Sequence, residues 1–200
     1  MFDSGIKASA LINQIKDEAD IAVPVSDESY VLWLNSLEQL LYTELIREQG
    51  KIEISDTEAS VLNIEAINVP SGENAVRFED IYTIYADKTQ LIFSTAASGV
   101  IFPDTYYKIG NNIGLNLKKA PEKIVIIYYV KPVLKTVSDI SAKNVMLPIE
   151  FIDLAKAKLR GEAYKLVNED ALSAKWLNDY NILLETFKTW LSEKQSKFGM

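Results

Sequence analysis

The side chains able to do chemistry in this chain are carboxylates, lysines and tyrosines, because it has no histidine and no cysteine. Without Cys, no disulfide, thiolate nucleophile or thiolate zinc site can form. Without His, the commonest metal ligand and the commonest general base near neutral pH are missing, and a Ser-His-Asp triad is impossible. Carboxylate chemistry remains open. Asp17, Glu18 and Asp20 cluster near the end of a first helical pattern. They have the charge to hold a hard cation but not the spacing of an EF-hand loop, and a solvated helix face accounts for them. Glu79-Asp80 and Glu169-Asp170 are each imaginable as half of a glycosidase pair, which needs two carboxyl groups roughly 5 to 10 Å apart. Loop and cap roles explain both from composition alone. Gly110-Asn111-Asn112-Ile113-Gly114 has two glycines but no Lys-Ser/Thr and no helical pattern after it, so it reads as a hairpin turn and not a phosphate loop. No catalytic, cofactor-binding or metal-ligating residue is assigned, no cofactor is expected, and the chain reads as a non-enzyme.

The formal charge of −7 disfavours tight, non-specific nucleic-acid binding, which relies on Lys and Arg neutralising phosphates. The longest apolar run, Ile124 to Val130, is strand-sized and far short of a membrane span. The opening Met1-Phe2-Asp3-Ser4 lacks the basic and apolar regions of a signal peptide, so a soluble protein made in the cytoplasm is expected. The 10 Tyr and 3 Trp invite a ligand-stacking role, but most fall on apolar stripes or in strands, where core and interface packing explains them. Tyr106-Tyr107 and Tyr128-Tyr129 stand apart. Neighbouring strand residues face opposite ways, so one ring of each pair is expected to point away from its own core as an interface anchor.

The elements that must position these groups follow from periodicity. A helix is expected over about Gly5 to Ala22, from Leu11, Ile15 and Ala19 with Ala8 and Ile12 beside them, ended by Pro24. Ser26 is the expected N-cap of a second helix, with Asp27 and Glu28 in its first turn and Val25 and Tyr30 spaced as a hydrophobic staple. That helix should run to about Gln49 with Gly50 at C′, burying Trp33, Leu34, Leu37, Leu40, Leu41 and Leu45. From Lys51 onward the period switches to two. Strands are expected around Ile52–Ile54, Leu62–Ile64, Ile81–Tyr85, Gln90–Phe93, Tyr106–Ile109 and Ile113–Leu117. Pro70-Ser71-Gly72 and Ala86-Asp87-Lys88-Thr89 are turns. Ile124 to Val130 is apolar at every position, which predicts a central strand covered on both faces and ended by Pro132. Helices return behind Pro148, read as an N1 residue, with a stripe of Ile152, Ala155, Leu159, Ala163 and Leu166. Gly161 inside that stripe suggests a close helix crossing. A last helix of about Asp170 to Gln195 carries Leu177, Leu184 and Leu191 at heptad spacing, with Trp176, Tyr180, Leu183, Phe187 and Trp190 alongside.

Neither terminal helix pair has enough polar surface to stand alone. The economical fold is α+β: residues 1–50 and 147–200 form one helical body, and residues 51–146 form an antiparallel β-rich insertion, giving one compact domain with an insertion. A chain of this length should bury roughly 70% of its unfolded surface, enough for a core without staples.

Three stretches in this order carry a resemblance. They are Ser26-Asp27-Glu28 with Trp33-Leu34-Asn35; Tyr106-Tyr107-Lys108-Ile109-Gly110-Asn111-Asn112-Ile113 leading to Val125-Ile126-Ile127-Tyr128-Tyr129-Val130-Lys131-Pro132; and Leu147-Pro148-Ile149-Glu150-Phe151 followed by Trp176-Leu177-Asn178-Asp179-Tyr180-Asn181. With these the chain resembles the head–tail connector proteins of tailed bacteriophages, the adaptor or neck subunits. The resemblance implies a virion structural protein forming a homo-oligomeric ring, a dodecamer being the size entertained. It also implies a portal protein on one side, tail or neck proteins on the other, and DNA passing through without sequence-specific binding. A carboxylate-rich lumen would not grip phosphates. The competing readings are a tail-completion or terminator subunit, a carbohydrate-binding or carbohydrate-processing protein using carboxylates and exposed Tyr, and a small bacterial interaction domain.

Overall fold

The computed structural model describes residues 2–19, 24–54, 61–63, 76, 78–95, 102–110 and 112–198, without the side chains of 61–63 and 195–198. Asp20, the Pro70-Ser71-Gly72 turn, Ile64 and Asn111 lie outside the described residues. The fold is α+β. The chain divides into a helical unit, residues 1–46 and 134–200, and a β unit, residues 47–133. The second boundary therefore falls at Val133/Leu134, earlier than the expected 146, because residues 134–147 fasten onto the helices.

In the helical unit, α1 covers Ala8–Glu18. It starts later than the sequence pattern because Ser4, Ile6 and Lys7 bond to Val145 and bridge to Asn144 instead of entering the helix, with the chain bending at Gly5. Helix α2, Asp27–Leu40, begins as read: Ser26 Oγ accepts from the Ser29 N–H at 3.3 Å, and Val25 and Tyr30 are both buried across the cap. The chain then widens into a π-helical turn, Leu41–Ile46, and leaves it through Arg47 at φ +47°. So Gly50 is not the C′ residue of this helix. Pro148 is extended and precedes a 3-10 turn, Ile149–Phe151, so it sits before the first helical position and not at N1. Helix α3 follows over Ile152–Leu166 and α4 over Asp170–Phe198.

Packing of α1, α2 and the π-turn against α3 and α4 brings both chain ends into one core. Leu11, Ile12, Ile15, Tyr30, Leu34, Leu37, Leu41, Leu154, Leu159 and Phe187 are fully buried there or nearly so. Gly161 marks the expected crossing. A Cβ on it would lie 2.7 Å from Leu177 of α4, and its carbonyl accepts from Ser173 Oγ at 2.9 Å. Further along α4, Phe187 meets Phe151 edge-on at 5.0 Å, and Trp190 meets Phe151 and Phe2.

Among the described residues, the β unit is a sandwich of two four-stranded sheets. Its strands are β1 Gln49–Ile54, β2 Val61–Asn63, β3 Ile81–Ala86, β4 Thr89–Gln90, β5 Ile92–Phe93, β6 Thr105–Ile109, β7 Asn112–Asn116 and β8 Ile124–Tyr129. One sheet has the order β1-β8-β3-β4 and the other β2-β7-β6-β5. Among the described residues, all pairings are antiparallel except β5 with β6, which is parallel. That exception has a local cause. The expected strand Gln90–Phe93 is split at buried Leu91, whose N–H donates to Ile84 O at 2.8 Å in the first sheet. The next N–H, of Ile92, already donates to Asp104 O on the second sheet. Strand β8 is central, as its unbroken apolar run predicts.

The sandwich core lies between the sheets. Ile84, Ile124, Ile126 and Tyr128 come from one side, and Tyr106, Ile113 and Leu115 from the other. Gly50 faces Tyr128 across the β1–β8 pairing, and the space a Cβ would need is filled by that ring. The β6–β7 hairpin turns through Gly110 at φ +56°, the left-handed conformation a glycine adopts without strain.

Candidate interaction surfaces

The carboxylates singled out from sequence are spread over both units, and those of Glu18, Glu79 and Asp80 are each paired with a basic side chain. Glu18 pairs with Arg160 of α3, whose guanidinium also lies 4.6 Å from the centre of the Trp176 ring. Glu79 pairs with Lys108, a bond that holds its carboxyl below the usual range, and Asp80 pairs with Lys131. Glu169 closes the α3–α4 turn through its backbone, donating to Tyr164 O and accepting from the Ser173 N–H. Among the described residues, no group of three or more carboxylates converges as a metal site would require.

One charged site escaped the sequence reading. Glu38 of α2 and Lys135 are fully buried, at 0% and 3% exposure, and pair with each other. Glu38 Oε1 also accepts from the Met146 N–H at 2.8 Å. Asn35, one turn earlier, grips the Lys135 backbone at both groups: Nδ2 donates to its carbonyl at 2.8 Å and Oδ1 accepts from its N–H at 2.9 Å. Burial pushes the Glu38 carboxyl up, against the pull of the Lys135 charge and the Met146 bond. A signal was present in the sequence, since Glu38 lies four residues after Leu34 and three before Leu41, inside the apolar stripe. Nothing in the sequence pointed to Lys135 as its partner.

The paired tyrosines divide as alternation requires. Tyr106 and Tyr128 enter the sandwich core. Tyr107 lies on the opposite face of its sheet, over Gly114. Tyr129 faces outward and meets Tyr82 edge-on at 5.5 Å. Tyr82 sits at an irregularity in the β3–β8 register, between Ile81 and Thr83, which turns its ring into solvent.

The β unit also exposes apolar side chains where β5 meets β6. Ile92 is 71% and Phe102 65% exposed, with Phe93 partly exposed beside them. Phe102 is fixed by its own backbone: its carbonyl accepts from Thr105 Oγ1 at 2.6 Å and from Asn116 Nδ2 at 2.9 Å. Near this corner a cleft of about 630 Å³ is lined by Lys88, Lys119 and Lys123 together with Asp87, Asp104 and Glu122. Two of its carboxylates are committed to loop structure. Asp87 accepts from the Glu122 and Lys123 N–H groups at 2.8 and 3.1 Å, and Asp104 is held by Lys118 at 2.9 Å, which keeps its carboxyl low.

On the helical unit, an open groove of about 770 Å³ runs along α4 past Ile182, Thr186, Thr189 and Trp190. Among the described residues no helix is long and apolar enough to cross a membrane. No protein-family model matches the chain, and no curated protein matches it either.

Proposed function

We propose that this protein is a mechanical and not a catalytic component: the ring-forming subunit of a phage head–tail connector, resident in the neck of the virion between portal and tail. The observation that carries the reading is the chain order. Both ends build one helical unit, and a β sandwich is inserted between them. That is the layout on which the sequence resemblance rests. The sandwich adds a second support. It holds Tyr82, Ile92 and Phe102 out on well-hydrogen-bonded strands and turns, and rigid exposed aromatic and aliphatic side chains suit contacts between subunits. The carbohydrate reading needs two carboxylates free to face one substrate. Glu79, Asp80, Asp87 and Asp104 are each taken up by a lysine or by loop backbone.

Native mass measurement of the purified protein, alone and mixed with the portal protein of the same genome, tests the proposal. Assembly into a ring on the portal is expected. A subunit that binds neither portal nor tail protein defeats the connector reading, and binding to the tail alone favours the tail-completion alternative.

A further inference from the structure

Helix α1 has no side-chain cap at its start, since Lys7 is extended and makes no capping bond. Its first N–H groups are met by carbonyls from far along the chain: Ala8 N–H donates to Lys143 O at 3.0 Å and Ser9 N–H to Ile140 O at 3.1 Å. The residues just before the helix depend on the same stretch. Ser4 N–H donates to Val145 O at 3.1 Å, and Val145 N–H to Ile6 O at 2.8 Å. Lys7 Nζ donates to Ala142 O at 2.7 Å, and Asn144 to Asp3 at 3.1 Å.

The stretch that supplies these partners, residues 134–147, has little regular structure. Asp139 accepts from the Thr136 N–H at 2.7 Å and pairs with Lys143, while Lys143 Nζ donates to Leu134 O at 2.8 Å. Its fastening to α2 is the Glu38–Lys135 pair, with Asn35 and the Met146 N–H around it.

We propose that residues 134–147 are a strap latched by the Glu38–Lys135 pair, and that strap and α1 open together as one local unit while α3 and α4 stay folded. Helix α1 has 11 residues, fewer than the roughly 12–15 an isolated helix needs in water. Once the strap leaves, the Ala8 and Ser9 N–H groups lose the partners they have among the described residues. The apolar contacts of α1, through Leu11, Ile12 and Ile15, and the Glu18–Arg160 pair do not restore those bonds. The α3–α4 crossing is built from other residues: Gly161 against Leu177, Ser173 on the Gly161 carbonyl, and the Phe151–Phe187–Trp190 cluster. Opening uncovers the Leu11, Ile12 and Ile15 stripe without unfolding the rest of the helices. The unit thus has a reversible way to expose apolar surface.

Native-state hydrogen exchange of the full chain, read by mass spectrometry at rising sub-denaturing urea, tests this. Peptides from 8–18 and from 134–147 should share one opening free energy, lower than that of α3 and α4. In Lys135→Met both should exchange faster together, on the order of 100-fold or more, and should remain less protected than α3 and α4 by the same margin as in wild type. The proposal is overturned if α1 keeps its protection when the strap opens, or if all these segments exchange only through one global opening. The wild-type isotherms decide between these outcomes even where Lys135→Met does not fold.

Discussion

Replacing Lys135 with Met removes one half of an ion pair whose other half has nowhere to go. Glu38 is fully buried, and in the variant its carboxylate keeps only the Met146 N–H as a partner. Breaking a buried pair in this way costs about 3–5 kcal/mol, against a total stability of about 5–15 kcal/mol for a domain. The cost should depend on pH. Burial already raises the Glu38 carboxyl above its ordinary value, and losing Lys135 removes the largest influence pulling it down. A carboxyl raised in the folded state binds its proton more tightly there than when unfolded. Stability is therefore full below the unfolded value and falls as pH rises through the folded one. Lys135→Met should be least destabilised at acid pH, below the ordinary carboxyl value, and increasingly destabilised as pH rises above it. Urea unfolding followed by tryptophan fluorescence is the assay, because all three tryptophans lie in the helical unit. The double variant Glu38→Gln/Lys135→Met keeps an acceptor for the Met146 N–H and buries no charge. It should recover to within about 1–2 kcal/mol of wild type. A single-variant cost below about 1 kcal/mol, or a cost that does not change with pH, would refute the reasoning.

Gly50→Ala should destabilise the β unit by about 1–3 kcal/mol in urea unfolding, because the added methyl meets the buried Tyr128 ring. Gly161→Ala would normally gain about 1 kcal/mol of helix propensity. Here it should lose stability, since the methyl lies 2.7 Å from Leu177, and a raised melting temperature would contradict the close α3–α4 crossing. Ile92→Ser and Phe102→Ser should change folding stability by no more than about 0.5 kcal/mol, because both side chains are mostly exposed. The same variants should weaken assembly on the portal, as native mass measurement would show.

The α+β class, the helix–strand–helix order, the Ser26 cap, the β6–β7 turn and the central place of β8 were all legible in sequence, because each rests on local chemistry. Ser26 needs only a hydroxyl three residues before an N–H, and Ile124–Tyr129 needs only an unbroken apolar run. What failed depended on distant partners. The start of α1 is set by Asn144 and Val145, the role of Gly50 by Tyr128, and the split at Leu91 by an acceptor on each of two sheets. The buried pair was half legible. Glu38 sat visibly in an apolar stripe, but Lys135 lies 97 positions further on, and no periodicity joins them. The paired tyrosines succeeded for the opposite reason, since strand alternation alone sends one ring in and the other out.

The central claim, a connector ring with the β sandwich providing exposed anchors, is tested most directly by electron cryo-microscopy of the protein assembled on its portal. The account predicts a closed ring of this subunit between portal and tail, with Tyr82, Ile92 or Phe102 buried at contacts between neighbouring chains. Absence of the chain from the neck, or a ring in which all three side chains remain in solvent, would contradict it.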